Sequence, residues 1–141
     1  MVDKISDLII TIGESDFKAR FELEKSPNTC RAFKSALPFL SKIIHVRWSG
    51  EAVWIPLGDL QFGVGYEDAT SYPAPGQIIL FPGGISETEI LIAYGPTCFA
   101  SKTGQLAGNH FLTIEDNLDV LAELGRDTLW SGAKDIKFIA L

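Results

Sequence analysis

The segment DLIITIGESDFKARFELE, residues 7–24, alternates with period two over its second half: Phe17, Ala19, Phe21 and Leu23 are apolar, and Lys18, Arg20, Glu22 and Glu24 are charged. Successive side chains of a strand point to opposite faces, so this pattern predicts a strand with one face buried and one face in water. DLIITI before it is a second apolar run, and GESD between the two supplies turn residues, which makes the segment a β-hairpin. A half-buried hairpin needs more strands, or a helix, to cover its apolar face.

The rest of the chain supplies them. SPNTCRAFKSALPF, residues 26–39, predicts a short amphipathic helix: Ser26 can cap it, Pro27 suits its first position, Cys30, Phe33, Leu37 and Leu40 recur at helical spacing, and Pro38 ends it. KIIHVRWSGEAVWIP, residues 42–56, reads as two strands around Ser49 and Gly50, with Ile44, Val46 and Trp48 on one face and Ile43, His45 and Arg47 on the other. Residues 58–76 are rich in Gly, Pro and Asp and predict a long loop. QIILFPGG and ETEILIAYG form a further strand pair, NHFLTIE another strand, and DIKFIAL a last one. DNLDVLAELG, residues 116–125, predicts a helix capped by Asp116 and ended by Gly125. Seven or eight short strands with two helices make a mainly β protein, a closed or nearly closed mixed barrel with the helices at its ends; an α/β sandwich is the rival.

The 141 residues, 46% of them hydrophobic and 11% aromatic, suffice for one domain, residues 1–141, and exclude a disordered chain. No apolar run approaches the roughly 18 residues of a membrane helix. The opening MVDKISDLIITIGE carries Asp3 and Asp7 and no basic stretch or cleavage site, so a cytoplasmic location is expected. There Cys30 and Cys98 are expected to stay reduced. A net charge of −6 with scattered basic residues argues against nucleic acid and anionic membrane as partners.

Residues with chemistry are few. His45 and His110 are the only histidines, without the spacing of a metal site, so no metal and no cofactor is expected. Cys98 lacks the glycine elbow or helix start that would activate a thiol. GVGY and PGGIS lack the following helix of a phosphate loop and read as turns. His110, in GNHF, either lines a ligand site or ties a loop to the barrel. Trp48, Trp54 and Trp130 read as core or rim packing before a binding cage, and Tyr72 and Tyr94 stand where strand ends would rim a mouth.

SPNTCRAFKSALPF resembles the opening of the first cyclophilin helix, and AGNHFLTIEDNLDVLAELG sits where cyclophilins carry Asn-Gly-Ser-Gln-Phe-Phe. LPF before RWSGEAVWIP, APGQIILFPGG before LIAYG, and GNHF with ELGRDTLWSGAKDIKF look like the small bacterial and archaeal cyclophilin-like barrels of unknown function. Over residues 5–141 the resemblance implies a closed eight-stranded cyclophilin-like barrel with two short capping helices. It sets His110 at the glutamine of the prolyl groove, Leu112 at a groove phenylalanine on the same strand face, and Arg47 near the arginine that polarises the prolyl amide. WSGEAVWIPLGDLQFG departs from the cyclophilin segment that follows that arginine, and Leu112 cannot stack on a proline ring, so peptidyl-prolyl isomerisation is disfavoured.

The leading expectation is a barrel that binds a small polar metabolite or short peptide in a surface groove. Arg47 would meet a carboxylate or amide oxygen, Asn109 and His110 would orient it, and Trp48 and Tyr94 would form an apolar wall, with Tyr72 on the rim. Whether a reaction follows is left open. The superfamily also contains subunits of amide-cleaving enzymes of the allophanate hydrolase kind, which makes an enzyme of amide or nitrogen metabolism the second expectation. A homo-oligomer formed through an apolar patch is the third.

Overall fold

The computed structural model describes residues 6–141, so the part of the leader reading that rests on residues 1–5 lies outside the described residues. Strands β1 (Leu8–Ile12) and β2 (Ser15–Phe21) form the hairpin, with Ile10 opposite Phe17. The turn is tighter than expected: Ile12 faces Ser15, leaving Gly13 and Glu14 to reverse the chain, and Gly13 sits at φ +59°, where glycine goes without strain. Helix α1 (Pro27–Ser35) follows, then β3 (Phe39–His45), a 3₁₀ turn (Arg47–Ser49) and β4 (Gly50–Pro56). The long loop holds only the short β5 (Ala69–Thr70). After it come β6 (Gln77–Phe81), β7 (Glu89–Thr97), the small β8 (Ala100–Ser101) and β9 (Gly104–Gln105), β10 (Gly108–Ile114), α2 (Leu118–Ser131) and β11 (Lys134–Ala140).

Hydrogen bonding runs β2-β1-β11-β3-β4-β7-β6-β10, and β10 pairs back onto β2, so eight strands close a barrel. Closure leaves its wall without an exposed edge and rules out the α/β sandwich. Every pairing is antiparallel; the barrel is not mixed. The β5 segment adds to β10, and β8 with β9 forms a separate hairpin. Ile10, Ile12, Phe17, Ala19, Ile78, Ile92 and Phe138 fill the inside. From α1, Phe33 joins them with its ring centroid 5.1–5.3 Å from those of Phe39, Phe111 and Phe138. A second cluster of Val46, Ala52, Ile79, Phe81, Leu91, Phe99 and Leu106 lies on the outer wall. Its presence explains why β6 and β7 read as continuous apolar runs: both of their faces are covered.

Several local expectations change. Ser26 does not cap α1. The carboxylate of Glu67, from the long loop, accepts the N–H groups of Asn28 and Thr29 at 2.9 and 2.8 Å instead. Asp116 does not cap α2 but accepts the Lys18 N–H at 2.8 Å, and the helix starts after Asn117 and runs through Gly125 to Ser131. In β3, Ile43 points inward and Ile44 is exposed, as expected for opposite faces. Trp48, however, lies in the 3₁₀ turn, and Val46 enters the outer cluster, so Ile44, Val46 and Trp48 do not share a strand face. His110 and Leu112 do not share one either. A bulge between them leaves His110 opposite Ile79 of the outer cluster and Leu112 opposite Ile78 of the inner one.

Candidate functional site

Asn109 and His110 are both buried, and their polar atoms are engaged within the protein. The Asn109 side chain accepts the Glu67 N–H at 2.8 Å and donates to the Thr29 hydroxyl at 3.0 Å and the Gly65 carbonyl at 2.8 Å. It thereby ties the long loop, the start of α1 and β10 together. Burial alone would raise the Glu67 carboxyl, but the hydroxyl and N–H of Thr29 and the N–H of Asn28 hold it below its usual range. We expect Asn109→Ala to lose about 2–4 kcal/mol in denaturant unfolding, because several polar groups lose partners at once; a loss under about 1 kcal/mol would mean that the loop is anchored elsewhere.

The His110 ring bridges Lys25, 3.4 Å from Nδ1, and the Thr113 hydroxyl, 2.9 Å from Nε2. Because that hydroxyl donates to Glu22, it accepts from Nε2–H, and Nδ1 accepts from the Lys25 ammonium. Burial, aided by Lys25, lowers the pKa of His110 despite the nearby Glu22 carboxylate, so the ring is neutral at pH 7. Both nitrogens are therefore occupied.

Arg47 and Tyr94 do come together, at the end of the barrel covered by α2. They line a cavity of about 330 Å³ with His45, Glu51, Arg126 and Trp130. Tyr94 is an inward residue of β7, and its hydroxyl lies 2.7 Å from Nε2 of His45 at the end of β3. Gly125 explains the position of that ring: a Cβ there would stand 2.3 Å from Tyr94 Cδ2, so only glycine lets α2 lie this close. Burial, with the Glu51 carboxylate nearby, raises the Tyr94 pKa and keeps the phenol protonated. Burial first, then the Arg47 guanidinium, lowers that of His45, whose Nδ1 is buried without a partner. The cavity thus carries two guanidinium groups against one carboxylate, in a chain whose net charge is −6. It includes neither His110 nor Leu112, so the residues matched to a prolyl groove do not line one cavity with Arg47.

Trp48 lines a different cavity, of about 340 Å³ on the outer wall, with Trp54 and Glu89. Tyr72 is exposed on the long loop. A larger cleft, about 620 Å³, runs beside α1 past Phe21, Cys30, Arg31 and Leu141. Its one thiol, Cys30, donates to the Phe111 carbonyl, and burial pushes its pKa up to about 12, which removes it as a nucleophile. Neither cysteine is in a disulfide. No group of three or more potential metal ligands exists among the described residues, and no helix among them is long and apolar enough to cross a membrane.

Two residues that sequence reasoning passed over stand out. Arg126 gave no signal, since a charged residue on an amphipathic helix reads as solvated. Glu89 gave one: it precedes Leu91 and Ala93 on the same strand face and is an acid in an otherwise apolar stripe.

A family model described as a protein of unknown function, DUF3830, matches residues 8–140. Among solved structures, McbB in complex with tryptophan superposes with a TM-score of 0.71 at 17% identity, over 94% of this chain and 44% of the McbB chain. The chain therefore spans less than half of McbB. A hypothetical protein, AF2241 from Archaeoglobus fulgidus, superposes with a TM-score of 0.61 at 14% identity, over 99% of this chain and 98% of its own. At these identities the likeness is one of fold. No curated protein matches the chain.

Proposed function

We propose that this chain, which belongs to the DUF3830 family, is a cyclophilin-like barrel that binds a small carboxylate-bearing metabolite in the cavity under α2. The observation that carries the reading is the convergence of Arg47, from the turn after β3, and Arg126, from α2, over the hydrogen-bonded pair of Tyr94 and His45. Guanidinium groups bind carboxylates through paired, charge-assisted hydrogen bonds, and a protonated phenol beside them can donate a further one. Trp130 offers an apolar wall, so a ligand with an aromatic or aliphatic body next to its carboxylate suits the cavity. Tryptophan, the molecule named with McbB, has this make-up and is the first to try.

Thermal unfolding with and without ligand tests the proposal. A ligand at a hundred times its dissociation constant stabilises the fold by about 2.7 kcal/mol. N-acetyltryptophan, which keeps the carboxylate and the indole without an ammonium group, is expected to raise the Tm of the wild type, while Arg47→Ala with Arg126→Ala removes the rise and leaves the unliganded Tm nearly unchanged. An equal rise in that double variant would contradict the reading.

A further inference from the structure

The outer-wall cavity has its own chemistry. Glu89, the first residue of β7, is only 3% exposed, yet it lines the cavity and no donor among the described residues bonds its carboxyl oxygens. Burial, reinforced by the neighbouring Glu87 carboxylate, pushes its pKa up to about 8. Its strand neighbours in the ladder, Pro56 and Phe81, carry no charge that could pair with it. Around the opening stand Trp48 and Trp54, with ring centroids 5.9 Å apart at 76°, Ser101 and Lys102. Trp48 is held by its indole N–H, which donates to the Ala100 carbonyl at 3.0 Å, whereas the Trp54 N–H is buried without an acceptor.

A carboxyl this deeply buried is ordinarily paired with a cation or hydrogen-bonded. Here it faces an open cavity lined with indole rings, which attract cations through their quadrupoles. We propose that the cavity between Trp48, Trp54 and Glu89 is a binding site for an organic ammonium ion, with the Glu89 carboxylate as its counter-ion. Glu87 adds negative charge at the mouth, and Lys102 is the one ionisable group lining the cavity that opposes the ligand. The site is separate from the carboxylate cavity under α2 and shares no lining residue with it.

Binding of a fixed cation must expel the proton from Glu89, so affinity is linked to pH. The probe is benzyltrimethylammonium, whose charge does not titrate, followed by tryptophan fluorescence between pH 6 and 9.5. Its dissociation constant is expected to fall about tenfold per pH unit up to about pH 8 and to level off above. Glu89→Gln should weaken binding at pH 8.5 at least tenfold and abolish the pH dependence. Trp48→Ala should weaken it and retain the pH dependence. Nα-acetyl-lysine methylamide, run in parallel, distinguishes a protein lysine from a free small cation as the natural source. Binding of neither cation, binding of neutral benzamide as tightly as of the cation, or an unchanged pH profile in Glu89→Gln would overturn the proposal.

Discussion

Glu89→Gln is expected to stabilise the fold by about 3 kcal/mol at pH 7, although it removes the acid proposed to hold a ligand. The folded-state pKa of Glu89 is about 8, raised from the usual 4.5 by burial first and by Glu87 second. A raised carboxyl pKa means that the folded protein holds a proton which the unfolded chain releases. The stability is therefore fully present below about pH 4.5 and is lost as pH rises to about 8, at about 1.4 kcal/mol per unit. Roughly 3 kcal/mol of it is missing at pH 7, and about 5 kcal/mol above pH 8. Glutamine does not titrate and escapes the loss. Denaturant unfolding of both proteins at pH 5, 7 and 9 gives the answer. The gap between variant and wild type should widen with pH; a constant gap would mean that Glu89 is solvated and not the buried acid described here.

Gly125→Ala should have an effect of similar size and opposite sign. In the middle of a helix, alanine is intrinsically better than glycine by about 1 kcal/mol. The added methyl, however, would stand 2.3–2.6 Å from three atoms of the Tyr94 ring, which His45 holds at its far end. Overpacking of this kind costs about 1–3 kcal/mol and sometimes more, so a net destabilisation of about 1–3 kcal/mol is expected despite the propensity gain. The ring must tilt or α2 must lift, and either movement disturbs the carboxylate cavity. Tyr94→Leu in the same chain should recover much of the stability, since a smaller side chain leaves room for the methyl. Full additivity of the two changes would show that Gly125 and Tyr94 are not in contact.

Gly125 also marks a limit of reading structure from sequence. Glycine after an apolar helical run is a common stop signal, and nothing local distinguishes that role from a close approach to the ring of Tyr94, 31 residues earlier in the chain. The cap of α1 is similar: Ser26 has the local signature, but Glu67, 38 residues beyond Thr29, makes the bonds. By contrast, the β1–β2 hairpin, the β6–β7 pair and β10 were legible, because period-two alternation and long apolar runs are properties of neighbouring residues. The bulge after His110 was not, since one extra residue in HFLTI changes no composition and yet turns the following side chains to the other face. Of the candidate site, Arg47 and Tyr94 were named and meet in one cavity, whereas Tyr72, Trp48, Asn109 and His110 lie elsewhere. The residues of that cavity come from β3, the 3₁₀ turn, β4, β7 and α2, and their meeting is a product of barrel closure, not of spacing along the chain.

Carboxylate binding under α2 is read out residue by residue when the ¹⁵N-labelled protein is titrated with N-acetyltryptophan and its backbone amide shifts are followed. This ligand keeps the carboxylate and the indole but has no ammonium group, so it does not suit the site at Glu89. Saturable shifts are expected at Arg47, Glu51, Tyr94, Arg126 and Trp130, with none when N-acetyltryptophanamide is used. Equal shifts with the amide, or shifts centred on Asn109 and His110, would contradict carboxylate binding there.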